Sequence, residues 1–337
     1  MIKTTLIILF LLPLSLQAGD YGNWLELNLK GYWKFIIGDN KEYAEPGYDD
    51  SQWDEVFVPS AWENEGYHGY DGFAWYRVGF ELTSNTIDSK SLFLDLGYID
   101  DADEVFVNGV RIGFTGNMPP DFSTAYNSRR TYHLPNNILK KDAPNIIAVR
   151  VYDTVLDGGI ISGTIGIFSA NDKLPAIQHL EGIWKIQSNR NSQWRSPDYD
   201  DSNWQEAMVP GFWHEMKNQK PSGSIATYRK TFELSEFVRE EDGLVVVLGR
   251  IDDFDQVYLN GILIGQTKDY RPLGWSESWS QVRIYDIPDD IINRYGDNIL
   301  TVEVEDIGGN AGIYEGPILI TNSKTYRRII RQFGIDW

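Results

Sequence analysis

Between Glu63 and Ala74 the chain gathers two kinds of side chain that suit a sugar: aromatic rings at Tyr67 and Tyr70, and polar groups at Glu63, Asn64, His68 and Asp71. Sugars present C–H faces that stack on flat rings, while their hydroxyls seek planar polar partners. Trp75 follows at once, and a later stretch supplies Trp275 and Trp279. These rings differ between the two halves of the chain, which makes them better ligand candidates than rings common to both. An aromatic loop packed against a neighbouring domain has the same composition, and that reading stays open.

Other chemistries find less support. Glycoside hydrolysis needs two carboxylates flanking one bond, but with 49 acidic residues such pairs arise without meaning. Asp49-Asp50 and Asp200-Asp201 each precede a shared Trp and read as turn and capping groups. Asp100-Asp101-Ala102-Asp103 and Asp252-Asp253-Phe254-Asp255 offer clustered oxygens for a structural Ca2+, although no complete calcium-loop pattern follows. No other cofactor is expected. There is no Gly-x-Ser-x-Gly elbow. His214-Glu215 begins like a zinc-protease helix, but Asn218 stands where the second histidine belongs. Without cysteine, thiol chemistry and disulfides are excluded. No catalytic residue is assigned.

The elements that must position these residues come twice. Gly31-Tyr32-Trp33-Lys34 returns as Gly182-Ile183-Trp184-Lys185. Tyr48-Asp49-Asp50-Ser51-Gln52-Trp53 returns as Tyr199-Asp200-Asp201-Ser202-Asn203-Trp204, and Val58-Pro59-Ser60-Ala61-Trp62 as Val209-Pro210-Gly211-Phe212-Trp213. Tyr76-Arg77, Val107-Asn108-Gly109 and Asn145 to Val149 recur as Tyr228-Arg229, Leu259-Asn260-Gly261 and Asn298 to Val302. A repeat this long is a duplicated domain rather than a solenoid unit. Each copy carries short apolar runs, Leu92–Leu96 and Leu244–Leu248 among them. Each also has an Asn-Gly pair between two such runs, the strongest local hairpin signal. The expectation is all-β, two tandem sandwiches, with the jelly roll as the antiparallel form of that size. Trp33/Trp184, Trp53/Trp204 and Trp62/Trp213 are paired across the copies and are expected in the core.

This ordered set of motifs, found twice, resembles the N-terminal galactose-binding-like jelly-roll domain of family 2 glycoside hydrolases, the β-galactosidase and β-glucuronidase type. In those enzymes the loop after Val-Pro-x-x-Trp and the acidic loop after the last shared strand border the sugar. The resemblance therefore adds Glu63 and His68, or His214 and Glu215, from the first loop. From the second it adds Asp153 and Asp157, or Asp306 and Asn310. Those enzymes keep their catalytic glutamates on a barrel of about 250 residues. Only Ser323 to Trp337 follow the second copy here, so no catalytic residue is carried over.

The expected organisation is a signal peptide at 1–18, a lead-in at 19–28, one jelly roll at 29–169, a linker at 170–179, a second jelly roll at 180–322 and a basic tail at 323–337. Lys3, the apolar run Leu6–Leu16 and Ala18 read as a cleavable secretory signal, which places the protein in the periplasm or outside the cell with no cysteine for a lipid anchor. No membrane span is expected in the mature chain. The tail spaces Tyr326, Ile329, Ile330 and Phe333 as an amphipathic helix that packs on the second copy. A net charge of −19 disfavours nucleic acid. The leading expectation is a non-catalytic protein that binds a glycan or oligosaccharide, with a separate enzyme of polysaccharide breakdown as a partner. A glycosidase, a sialate O-acetylesterase-like hydrolase or its accessory subunit, and a cell-surface interaction scaffold are the alternatives.

Overall fold

A computed structural model describes residues 24–169, 177–213, 223–268, 278–308 and 311–327. Its ladders are antiparallel throughout, and among the described residues none joins a strand of 24–169 to one of 177–322. In the first copy β1 (Trp24–Asn28), β10 (Gly159–Ser169), β5 (Leu92–Asp100) and β8 (Arg129–Leu134) form a four-stranded sheet in the order β1-β10-β5-β8. The facing sheet has the order β3-β2-β4-β9-β6-β7, with β2 at Gly31–Ile37, β3 at Asp54–Val58 and β4 at Gly72–Phe80. Strands β6 (Ala102–Val107), β7 (Val110–Thr115) and β9 (Asn145–Asp153) complete it.

The second copy repeats both orders. Strands β11 (Ile177–His179), β20 (Gly312–Asn322), β15 (Leu244–Asp252) and β18 (Val282–Asp286) make its four-stranded sheet. The other sheet runs β13 (Gln205–Val209), β12 (Gly182–Ser188), β14 (Ile225–Phe232), β19 (Asn298–Glu305), β16 (Phe254–Leu259) and β17 (Ile262–Thr267). Two segments differ from the sequence expectation. The stretch read as lead-in supplies β1, and the end of the linker supplies β11, each an edge strand bonded to the last strand of its copy.

Alternation explains the strands. In β2, Trp33 and Phe35 point inward between less buried neighbours, as Trp184 and Ile186 do in β12. Inward residues of both sheets meet in one apolar core per copy, which includes Trp33, Trp62, Leu94, Val149 and Ile167 in the first and their counterparts in the second. All six paired tryptophans are buried. Trp53 does so in a smaller cluster on the outer face of the six-stranded sheet, with Trp75, Phe106 and Ala148. The Asn-Gly hairpins form with positive φ at Asn108, Gly109, Asn260 and Gly261.

The shared charged motifs also acquire reasons. Asp49 and Asp200 cap turns by accepting from the N–H of Ser51 and Ser202 at 3.0 Å. Asp50 and Asp201 instead hold the buried guanidiniums of Arg77 and Arg229 at 2.7 Å, and those also donate to carbonyls of the preceding turn. Gly97 and Gly249 sit at matching register shifts in β5 and β15, at φ +61° and +55°, where a Cβ would strike the carbonyl oxygens of Ser162 and Glu315.

The copies touch. Arg111 on β7 pairs with Glu206 on β13, and Met208 packs on the first copy's core. His179 lies edge-on to Phe93, its ring 5.5 Å from that of His133, and pairs with Glu181 at 2.9 Å. Tyr326 packs against Val245, Val247 and Leu319 of the second copy. The rest of the expected tail helix lies outside the described residues, as does the signal segment.

Candidate functional site

Two loops named by the sequence meet at one end of the first copy. Trp62 is wholly buried and fixes both. Its backbone N–H donates to Gly158 O at 3.0 Å, and its indole N–H donates to Tyr70 O at 3.1 Å. Gly158 has no side chain because a Cβ there would enter the Trp62 ring. Its N–H donates to Glu63 Oε2 at 3.0 Å, which ties the loop after Trp62 to the loop after β9.

This arrangement sorts the candidates. Trp75 is corrected: it is a strand residue, 0% exposed, with its indole N–H on Asp39 at 3.1 Å, and it cannot stack on a ligand. Tyr70 is part of the loop's frame, since its hydroxyl donates to Phe73 O at 2.7 Å and its ring lies edge-on to Trp62. Tyr67 packs on Phe35 at 4.7 Å and donates its hydroxyl to Asp54. Burial, then that hydrogen bond, raises its pKa well above the usual phenol value. His68, Asp71 and Asp157 are exposed and remain open to a ligand.

Beneath these exposed groups lies a cluster that the sequence reading divided wrongly. Asp100 ends β5, Asp101 follows, and Asp153 ends β9; a carboxylate oxygen of each lies within 4.8 Å of the other two. Asp103 is not among them. It lies on the buried side, bonded to Arg130 at 2.7 Å and to the Tyr132 hydroxyl at 2.5 Å. Asp101 accepts from the hydroxyls of Thr124 and Thr154 and from the Thr154 N–H. Burial, then the bond to Asp101 and its charge, push the pKa of Asp100 up to about 7. Burial and the charge of Asp101 push Asp153 to about 7 as well. The Val155 N–H turns toward Asp153 and offsets part of this, but it does not reach hydrogen-bond geometry. Tyr126, 55% exposed, rides on the same loop as Thr124.

The second copy has a different surface there. Phe212 stacks on Tyr314 with ring centres 4.8 Å apart and planes 9° apart. The Tyr314 hydroxyl donates to Trp279 O at 2.7 Å, and Trp279 is 50% exposed. Asp306 is half-buried and accepts from Gly308 N–H at 2.9 Å. His214, Glu215, Trp275 and Asn310 lie outside the described residues. Phe212 and Tyr314 escaped the sequence reading, yet the signal was present: both are aromatics that replace Ala61 and Ile161 of the first copy.

The family model for the beta-galactosidase second all-beta domain matches residues 38–157 and again 189–310. The chain belongs to this family. Among curated relatives, a beta-galactosidase of Bacteroides ovatus is 30% identical over 132 residues, which is 35% of this chain and 14% of that protein. A putative beta-glucuronidase of Formosa agariphila is 29% identical over 102 residues, 26% of this chain and 10% of that one. The chain thus matches a small part of these glycosidases. A Bacteroides uniformis beta-glucuronidase structure aligns with 85% of this chain and 27% of its own, at 15% identity and a TM-score of 0.39. Among the described residues no helix is long and apolar enough to cross a membrane.

Proposed function

We propose that this all-beta domain pair is an exported, non-catalytic carbohydrate-binding protein. It consists of two jelly rolls, at 24–169 and 177–322, that present their loop ends to a glycan. The observation that carries the reading is the family match in both halves, supported by the joining of the Trp62–Asp71 and Asp153–Gly158 loops under exposed His68, Asp71 and Asp157. In the second copy Trp279, beside stacked Phe212 and Tyr314, supplies the aromatic contact. The acidic end of the first copy and the net charge of −19 oppose uronic acids, so the ligand is a neutral glycan. Two weak sites on one chain gain avidity when both reach one polymer.

A second reading follows from the relatives being glycosidases of which this chain matches a small part: it serves as an accessory subunit to a partner enzyme of polysaccharide breakdown. Affinity electrophoresis of the mature protein in gels cast with neutral and uronic polysaccharides tests the main proposal. Retardation on a neutral polymer, weakened by Trp279→Ala or by His68→Ala, is expected. No retardation on any polymer overturns it, and turnover of nitrophenyl glycosides or acetyl esters by pure protein favours a hydrolase.

A further inference from the structure

We propose that Asp100, Asp101 and Asp153 of the first copy hold one calcium ion.

Three carboxylates brought so close repel one another, and something must compensate them. The nearest guanidinium does so only in part, since the Arg130 charge acts on Asp100 without a hydrogen bond to it. Arg130 spends its Nε–H on Asp103 and its other donors on the carbonyl oxygens of Ala125, Ser128 and Asp101. The Asp101 oxygens are met by neutral donors, two hydroxyls and a backbone N–H. Asp153 is the deciding residue. It is 0% exposed, and among the described residues neither of its oxygens meets a hydrogen-bond donor, although both are shut away from solvent. A buried carboxylate left so is strongly unfavourable relative to one with partners.

The donor set selects the ion. All ligands are hard oxygens, without histidine or thiolate, which excludes a preference for zinc or copper. Oxygens that all lie within 4.8 Å of one another can share one cation, and calcium accepts irregular protein-oxygen sets where magnesium demands a near-ideal octahedron at about 2.1 Å and keeps most of its waters. Calcium takes about six to eight oxygens, so positions remain for water on the side of the exposed Val155–Asp157 loop.

The second copy is an internal control. Asp252, Asp253 and Asp306 occupy the equivalent positions, and Asp253 accepts from Ile307 N–H as Asp101 does from Thr154 N–H. But Asp306 is half-buried and accepts from Gly308 N–H at 2.9 Å, where Asp153 meets no donor among the described residues. Among the described residues this trio does not converge as the first does.

The site does not rest on the glycan reading, because its test contains no glycan. Full-length mature protein is stripped with a chelator, desalted and titrated with calcium chloride by calorimetry and by equilibrium dialysis. One calcium per chain is expected. Asp153→Asn should weaken uptake by about tenfold or more with an unchanged circular dichroism spectrum, and Asp306→Asn should leave it untouched. If Asp153→Asn does not fold, half-exposed Asp100→Asn gives the same reading. No uptake at about 5 mM calcium, above the range of weak extracellular sites, overturns the proposal. So does equal uptake of magnesium, an equal loss in Asp306→Asn, or uptake indifferent to both first-copy variants.

Discussion

Replacing Arg130 with Met tests how the acidic end of the first copy is held up. The Arg130 and Asp103 side chains are both fully buried, with Nε 2.7 Å from Oδ1. The same guanidinium donates to Ala125 O at 2.5 Å, to Ser128 O and to Asp101 O at 2.9 Å. The substitution keeps much of the volume but leaves one buried carboxylate with only the Tyr132 hydroxyl and three carbonyls without this donor. Breaking a buried pair from one side costs about 3–5 kcal/mol. With a urea slope near 2 kcal/mol per molar, the midpoint of the affected transition should fall by about 2 M. Asp103→Asn should be comparably harmful, and the double variant should lose clearly less than the sum, since the two residues interact directly. Arg283→Met should repeat the loss in the second copy, where Arg283 holds Asp255 at 2.7 Å and the carbonyls of Ile251 and Asp253 at 2.8 and 2.7 Å. A loss below about 1 kcal/mol, or full additivity in the cycle, would refute the reasoning.

Two further outcomes are expected. Burial, then the neighbouring His179, lowers the pKa of His133 from 6.5 to about 3. The unfolded chain therefore takes up this proton first, and stability falls as pH drops from 6.5 toward 3. Between pH 7 and pH 5 the loss is at most about 2 kcal/mol, an upper bound because the residue is only partly buried. From pH 7 to pH 5 the parent should lose more urea midpoint than His133→Gln does, and the same pH response in both would contradict the assignment. Gly97→Ala, at positive φ and facing the Ser162 carbonyl, should cost upwards of about 2 kcal/mol. Gly38→Ala, also at positive φ but with open space around its Cβ, should cost about 1 kcal/mol; equal losses would show that the close approach is irrelevant.

Much of the frame was legible because the duplication filters the sequence. Residues kept in both copies, such as Trp33/Trp184 and Asn108-Gly109/Asn260-Gly261, turned out to be core and turn residues with the expected burial and φ. The filter failed where a local pattern hid a long-range partner. Arg77 and Asp50 were read as separate motifs, and only folding brings them to 2.7 Å. The Asp100–Asp103 run looked like one cluster, yet alternation along a strand sends Asp103 inward to Arg130, while Asp153 arrives from β9 to join Asp100 and Asp101. Trp75 directly follows the aromatic loop in sequence, but β4 begins at Gly72 and takes Trp75 into the sheet. Tyr67 and Tyr70 were placed in the right loop, but their hydroxyls are engaged with the protein itself.

The contact between the halves sets β7 of one unit, through Arg111, against β13 of the next, through Glu206 and Met208. Its two faces are unlike, so the contact is heterologous: repeated, it would form a ring or an open row, never a twofold pair. Each chain therefore carries one spare face of either kind: exposed Ile262 and Leu263 on β17 at one end, and exposed Tyr32 beside Phe57 at the other. The architecture has the grammar of a row of beads, but Leu263 stands on β17 where Arg111 stands on β7, so a third bead spliced after the second would meet an apolar face in place of the cation that grips Glu206.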